Sequence, residues 1–260
     1  MDRPSNSARG RTAWVLVLTA LLLSGVVTMA VTANSWKRDF RVLRVRTQGN
    51  SIVADSDIVR TAAVLKNGKL FDVDLNGTRL KVQQNPFMKS VSVAREIPDG
   101  IAITVTERTP IAALILDRIL YLDAEGYVLP PVRSGHVFDL PVITGDVPLA
   151  DCLPGQQIRT RRLREALEIL TTAERIGADL YHLISEVHCA GDSTYVLFTA
   201  ESGVPVVLGR GDIAVKLVKL DGFWKQIVMQ RGATQLKTVD LRFADQVVVR
   251  WDEGRDRPAQ

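Results

Sequence analysis

The chain has 260 residues, of which 46% are hydrophobic and 24% are charged, with a formal net charge of +4 at pH 7. This composition is typical of a globular protein. Basic residues are scattered among acidic ones, without a basic stripe interleaved with aromatic residues, which argues against nucleic-acid binding. Two cysteines are too few for a disulfide scaffold.

The first element is an apolar segment, residues 12–35, which contains no charged residue. As a helix it would reach about 36 Å, enough to cross a hydrocarbon layer of roughly 30 Å with some tilt. Trp14 and Trp36 lie near its two ends, where indole rings favour the headgroup level. A cleaved signal peptide would have a shorter apolar core of about 7–15 residues, and a soluble core helix would show a recurring polar face. We therefore expect an uncleaved transmembrane helix.

The charges around this segment bear on its orientation. Three arginines in residues 1–11 favour a cytoplasmic tail, but residues 37–46 are basic too, so charge alone does not decide. Because long domains cross membranes largely regardless of charge, we expect the tail inside and the large domain outside. The basic flank could contact anionic lipid headgroups or form a solvated strand face, and the sequence leaves both open.

The next 65 or so residues predict a small α+β domain, residues 41–108. Strands are predicted at 42–46, 90–94 and 101–106, and helices at 57–65 and 76–84. Asp55 or Ser56 would cap the first helix and Gly68 would follow its end. Leu75, Leu80 and Val82 of the second helix are expected to face inward, and Pro86 ends that helix. The uncovered sheet face or edge would be available to partners.

Several short segments carry a family resemblance. They are GN at 49–50, LFDVDL at 70–75, NPF at 85–87, VSVAREIP at 91–98 and VTERTP at 105–110. Their order, directly after one short-tailed anchor, resembles the POTRA domain of the FtsQ/DivIB bacterial cell-division family. POTRA folds also occur in outer-membrane assembly and secretion proteins, so the module alone does not fix a function.

Residues 109–251 predict a larger mixed α/β domain with a mainly antiparallel sheet, followed by a flexible tail at 252–260. Strands are predicted at 111–116, 119–122, 184–189, 195–199, 205–208, 237–243 and 246–251, and helices at 160–176 and 212–229. YLDAEGYV at 121–128 and LPVITG at 140–145 continue the family resemblance. Leu163, Leu167 and Leu170 are expected to form the inner stripe of the first helix.

Enzymatic motifs are weak in this chain. GRGDIA at 209–214 matches a dinucleotide-binding pattern, but no βαβ unit follows it, and Asp212 is better interpreted as a helix cap. His136, His182 and His188 lack metal-ligand spacing, and no nucleophile elbow or phosphate-binding lysine loop occurs. We expect no enzymatic activity, no cofactor and no metal. Cys152 and Cys189 could pair or remain two separate thiols.

The resemblance also implies a binding site. VDLRF at 239–243 is similar to the family's C-terminal strand, at which FtsQ proteins pair with a segment of FtsB. An exposed strand edge can accept a partner's strand by main-chain hydrogen bonding. The expected partner-binding residues are Val239, Leu241, Arg242, Phe243, Val247, Val249 and Trp251. Phe243 and Trp251 would be aromatic anchors; the alternative is that these side chains merely complete the sheet.

By that resemblance the chain is a non-enzymatic, bitopic divisome scaffold of the cell inner membrane. It would be a single-pass type II protein with its large domain in the periplasm at the division septum. It would bind FtsB and FtsL and so recruit and regulate septal cell-wall synthesis. The alternative is a POTRA-bearing, membrane-anchored assembly or secretion factor that guides polypeptides.

Overall fold

The computed structural model describes residues 7–38, 40–64, 66–132, 138–147, 152–190, 194–244 and 246–252. Residues 1–6 of the expected tail, His136 and residues 253–260 lie outside these ranges. The chain divides into two compact units. The first comprises Met1–Gln48, Asp55–Lys81 and Val91–Thr104, and the second comprises Gly49–Ala54, Val82–Ser90 and Val105–Gln260.

The apolar segment forms one long helix, α1 (Ser7–Arg38). Its stretch Trp14–Thr32 has a mean hydropathy of 2.3 and is long and apolar enough to cross a membrane. The hydroxyl groups of Thr19, Thr28 and Thr32 donate to carbonyls one turn earlier, at 3.0, 2.7 and 2.9 Å. These polar groups are therefore satisfied inside the helix, as an apolar surrounding requires.

The first unit contains the predicted order strand, helix, helix, strand, strand. Its elements, some of which end in the second unit, are β1 (Arg44–Gln48), α2 (Asp55–Ala62), α3 (Leu75–Gln83), β2 (Met88–Glu96) and β3 (Gly100–Glu107). The strands form a sheet in the order β1-β3-β2, with β1 parallel to β3. The guanidinium of Arg95 donates to the carbonyls of Leu70, Phe71 and Val73 at 3.0, 3.1 and 2.8 Å. It thereby holds the 3₁₀ turn Leu70–Asp72.

Three details of the predicted module are wrong. Strand β1 begins two residues later than expected, because the backbone of Val42 pairs with Asn67 and Gly68 instead. Helix α2 ends at Ala62, where Ala63 turns left-handed with φ 52°, so Gly68 does not terminate it. Leu80 is 49% exposed, whereas Val82 is 1% exposed. The buried stripe of α3 contains Thr78 and Val82, four residues apart, and Leu80 lies off that stripe.

The second unit contains a nine-stranded sheet in the order β12-β11-β10-β9-β8-β7-β4-β5-β6. Its strands are β4 (Pro110–Ile115), β5 (Ile119–Asp123), β6 (Val128–Leu129), β7 (Val142–Gly145), β8 (Ile184–Ala190), β9 (Thr194–Thr199), β10 (Pro205–Val207), β11 (Leu236–Asp240) and β12 (Val248–Trp251). The parallel pairs are β4 with β7, β7 with β8, and β10 with β11. The other pairs are antiparallel, so the expected α+β architecture with a mainly antiparallel sheet is confirmed.

Helix α4 (Arg161–Ile176) supplies much of the core of this unit. It contacts β4, β8 and α6 (Ile213–Phe223). Its buried residues are Leu163, Ala166, Leu167, Ile169, Leu170, Thr172 and Ala173, which confirms the predicted inner stripe. Each fully buried leucine or isoleucine contributes about 1.5–3 kcal/mol relative to exposure.

Two helical features were not predicted. Helix α5 (Ala178–Leu183) is only six residues long, too short for a periodic pattern, and the Tyr181 hydroxyl on it donates to the carbonyl of Ile111 at 2.7 Å. The expected continuous helix at 212–229 instead consists of α6, a π-helical turn over Trp224–Val228 and the short α7 (Met229–Arg231). The π turn buries both Trp224 and Val228.

Candidate partner-binding edge

Strand β12 forms one edge of the nine-stranded sheet. Strand β11 has β10 on one side and β12 on the other, so the free edge at this end of the described sheet belongs to the final strand, β12, and not to residues 239–240 of β11. Within the described residues, no strand pairs with the outer side of β12. Alternate backbone N–H and C=O groups along that side are therefore available to an added strand.

The end of β12 is held in a fixed geometry. The Arg231 guanidinium lies 4.2 Å from the centroid of the Trp251 ring, which is partly buried against the core. The backbone N–H of Asp252 donates to the carbonyl of Gln235 at 2.7 Å, and the Asp252 carboxylate lies 2.9 Å from Lys237 Nζ. The Trp251 ring is thus positioned by contacts within the protein.

Arg242 and Phe243 follow β11 and lie at the surface. Phe243 is 45% exposed. The Arg242 guanidinium donates two hydrogen bonds to the Asp240 carboxylate, from Nε to Oδ1 at 3.0 Å and from Nη2 to Oδ2 at 2.6 Å. The hydrogen bond from Arg242 lowers the pKa of Asp240 below its ordinary value, although burial opposes the shift. The same hydrogen bond raises the pKa of Arg242.

The predicted partner-binding residues separate into a buried, a partly buried and an exposed group. Val239 and Leu241 are 0% and 1% exposed, so their side chains stabilise the core rather than face a partner. Val247, Val249 and Trp251 are partly buried against the same core. Only Arg242 and Phe243 are exposed.

Two exposed residues of β12, Val248 and Arg250, are not among the predicted partner-binding residues. Val248 is 41% exposed and pairs with Asp240, which places its side chain beside the Arg242–Asp240 ion pair. Arg250 is exposed and pairs with Thr238 on the same face. The available signal was the two-residue period of the predicted strand, which places residues 248 and 250 on the face opposite residues 247, 249 and 251.

Several motifs that carry the family resemblance meet in the second unit. Arg108, in VTERTP, donates from Nη1 to Asp123 Oδ2 at 2.6 Å and to Glu125 Oε2 at 2.9 Å. Its guanidinium lies 3.5 Å from the centroid of the Tyr127 ring. The side chains of Arg108 and Asp123 are 10% and 6% exposed. This buried pair joins VTERTP to YLDAEGYV.

Glu107 makes a second such connection. Its carboxylate accepts hydrogen bonds from the backbone N–H groups of Ser51, Ile52 and Val53 at 2.8, 2.7 and 2.9 Å. The segment that follows the Gly49-Asn50 turn is therefore fixed by a charge-assisted contact. The motifs thus mark structural contacts as well as a family resemblance.

One cluster has the residue types of a catalytic site. The Thr144 hydroxyl donates to Glu186 and lies 2.8 Å from His188 Nδ1. A catalytic triad places the carboxylate on the histidine nitrogen opposite the nucleophile. Here both groups reach the same hydroxyl, which is the geometry of a cross-strand polar contact. Among the described residues, no three His, Cys, Asp or Glu side chains form a group that could hold a metal ion.

The two cysteines are both buried, and Cys189 is a free thiol. They are therefore not bonded to each other. Burial raises the pKa of Cys189 to about 11.

The architecture defines the class of protein. One apolar helix long enough to span a membrane precedes a strand-helix-helix-strand-strand module and a large mixed sheet. This is the organisation of a membrane-anchored POTRA protein. The family model described as POTRA domain, FtsQ-type, matches residues 40–108, and the model FtsQ/DivIB, C-terminal related, matches residues 109–249. The chain belongs to the FtsQ/DivIB family.

Similar proteins cover most of the chain. It is 33% identical over 200 residues to the cell division protein FtsQ of Geobacter sp. (strain M21), covering 76% of this chain and 71% of the relative. It is 33% identical over 243 residues to FtsQ of Rhodothermus marinus, covering 90% and 86%. It is 30% identical over 264 residues to FtsQ of Salinibacter ruber, covering 96% and 98%. The family membership supports a divisome role with protein partners and a membrane-anchoring helix.

Proposed function

We propose that this chain is a divisome scaffold that binds FtsB, and through it FtsL, by strand addition to the outer edge of β12. In this role it recruits and regulates septal cell-wall synthesis and carries out no reaction of its own. The proposed domain boundaries are a cytoplasmic tail at 1–11, a transmembrane helix at 12–35, a POTRA domain at 41–108, an FtsQ-type β domain at 109–251 and a tail at 252–260.

The observation that carries the proposal is the outer side of β12, with which no strand among the described residues pairs. Arg242 and Phe243, which follow the neighbouring strand β11, are both exposed. A partner strand added there gains main-chain hydrogen bonds along β12. Phe243 offers apolar surface, and Trp251 is already held by Arg231. Aromatic and arginine side chains with fixed positions are typical binding hot spots. The buried Val239 and Leu241 keep the edge in place from the core side.

The proposed topology is single-pass type II in the inner membrane, with the sheet domain in the periplasm at the septum. The positive charge of the short tail supports a cytoplasmic N-terminus. Cysteine labelling of a residue in the tail and another in β12, in intact and permeabilised cells, tests this orientation. Labelling of the tail residue in intact cells would contradict it.

Binding is tested with the full chain in nanodiscs and the soluble extracytoplasmic segment of the same organism's FtsB. The double variant Phe243→Ala with Trp251→Ala should weaken binding by about thirtyfold or more, the effect of losing a hot spot of about 2 kcal/mol. Ile115→Ala, which removes an exposed apolar side chain from β4, is the matched control and should bind as wild type. Equal binding of the double variant and the control would contradict the interface.

The cellular role is tested by depleting the protein. Depleted cells should fail to divide and form filaments, and the double variant should not restore division. Normal division after depletion would contradict the proposed role.

A further inference from the structure

The loop between β10 and α6 contains the GRGDIA sequence that resembles a nucleotide-binding pattern. Its Gly209 and Gly211 have φ of +67° and +68°, and Asp212 has φ 47°. Asp212 makes no side-chain capping bond, so the expected cap is wrong, and its carbonyl accepts from Lys216 N at 3.0 Å. These left-handed residues form a tight loop, and the group bound by its backbone is the side chain of Lys216.

Lys216 holds this loop from inside the protein. Its side chain is buried, and its ammonium donates to the carbonyls of Leu208 at 2.9 Å and Arg210 at 2.6 Å. A phosphate-binding loop directs N–H groups at an anion. In this loop carbonyl groups converge on a cation, which is the reverse polarity.

Arg242 lies against the outer side of the same loop. A Cβ added to Gly209 would lie 2.7 Å from Arg242 Cγ and 3.4 Å from Arg242 Cδ. Any side chain at position 209 would therefore displace the arginine stem. At Gly211 an added Cβ would meet nothing within 4 Å.

Asp240 fixes the other end of Arg242. It accepts from the Arg242 backbone N–H at 3.0 Å and from the guanidinium through both of its oxygens. A guanidinium has five N–H donors, and this pair uses two of them. Three donors remain on an arginine whose side chain is 57% exposed.

We propose that Gly209 and Asp240 are positioning residues that hold Arg242 ready to bind the partner segment, with Lys216 fixing the loop behind them. The inference rests on the proposed function, because it assigns a task to residues that contact Arg242, one of the proposed binding residues. Pre-ordering a long side chain removes the entropy cost of fixing it on binding. Arg242 then presents its remaining donors to acceptor oxygens of the incoming chain.

The test compares two glycines of one loop in the full chain in nanodiscs. The probe is the soluble extracytoplasmic segment of the same organism's FtsB. Gly209→Ala should raise Kd about three- to tenfold, the effect of restoring one side chain's freedom. Gly211→Ala carries the same left-handed backbone cost but does not touch Arg242, so its Kd should match wild type.

A double-mutant cycle separates positioning from general damage. Gly209→Ala and Asp240→Asn should each weaken binding in the wild-type background and add nothing to Arg242→Ala. If the two glycine variants weaken binding equally, or if the cost of Gly209→Ala persists without Arg242, positioning is refuted while the interface stands. If Arg242→Ala leaves Kd unchanged, Arg242 has no place in the proposed interface and the inference fails with it.

A second measurement needs no partner. In the chain labelled with ¹⁵N-arginine, the Nε–H signal of Arg242 should be protected from solvent exchange in wild type and in Gly211→Ala. It should lose protection in Asp240→Asn and in Gly209→Ala. Equal protection in all four proteins would overturn the proposal.

Discussion

Arg108 provides the sharpest stability test in the second unit. Arg108→Ala removes the partner of the Asp123 carboxylate, which is 6% exposed in a pair with a 10% exposed arginine. Among the described residues, the Asp123 carboxylate would keep two donors, the backbone N–H groups of Glu125 at 3.0 Å and Tyr127 at 2.8 Å.

Breaking a buried ion pair by removing one partner costs about 3–5 kcal/mol. Because Asp123 keeps two hydrogen-bond donors, we expect the free energy of unfolding to fall by about 3 kcal/mol, the lower end of this range. The contact with Glu125 adds little, because that carboxylate is 45% exposed. With an m-value of about 2 kcal/mol/M, the urea midpoint should fall by about 1.5 M.

The assay is urea unfolding of the full chain in detergent, followed by tryptophan fluorescence. Trp14 and Trp36 are replaced by Phe in every protein, so that the signal reports on Trp224 and Trp251 of the second unit. Arg161→Ala is the matched control, since this arginine is 85% exposed in a helical pair worth about 0.3–0.5 kcal/mol. If Arg108→Ala shifts the midpoint no further than Arg161→Ala, the reasoning about burial is refuted.

Other predictions concern the rest of the fold. The Tyr195 hydroxyl donates to Glu165 Oε2 at 2.7 Å, and this bond and the one from Arg161 lower the pKa of Glu165. The ionised Glu165 therefore stabilises the folded state fully above about pH 4.3, the pKa of an unfolded glutamate. This stabilisation is lost as the pH falls through the lower pKa of the folded state. Tyr195→Phe should cost about 1 kcal/mol at pH 7 and flatten the acid-side loss of stability in urea titrations, and an unchanged pH profile would contradict this. Cys189, with its pKa raised to about 11, should resist iodoacetamide at pH 7.5 until urea unfolds the chain, and rapid labelling of native protein would show that its burial is wrong. Val82→Ala should cost about 2 kcal/mol and Leu80→Ala less than about 0.5 kcal/mol, measured by amide exchange in α3; the opposite ranking would restore the expectation that Leu80 faces inward.

The order of elements could be predicted because each one has its own periodicity. Sixteen residues of α4 repeat an apolar stripe often enough to define one face. The nine residues of α3 make only about two and a half turns, too few to show that Val82 faces inward and the expected Leu80 does not. Short helices therefore leave the facing side undetermined.

The site was harder to predict, because it depends on which strands become neighbours. The parallel pairing of β10 with β11 and the antiparallel pairing of β11 with β12 are long-range choices. They leave β12, and not β11, with an unpaired side within the described sheet. Alternation would have placed Val239 and Leu241 together on the inner face, but the end of β11 at Asp240 releases Phe243 from that pattern.

Contacts between distant motifs could not be predicted from the sequence either, because they too depend on which segments become neighbours in the fold. Arg108 and Asp123, and likewise Gly209 and Arg242, are brought together only by the completed fold. The glycines of GRGDIA were recognisable as a loop signal. Their role as the support of an arginine depends on a residue more than 30 positions later.

Amide hydrogen exchange of the full chain in nanodiscs, with and without the extracytoplasmic segment of FtsB, tests the central claim most directly. Strand addition at β12 predicts new protection of β12 amides on binding, and unchanged exchange in β6 at the opposite edge of the sheet. Protection of β6, or of the first unit alone, with β12 still exchanging freely, would contradict strand addition at this edge.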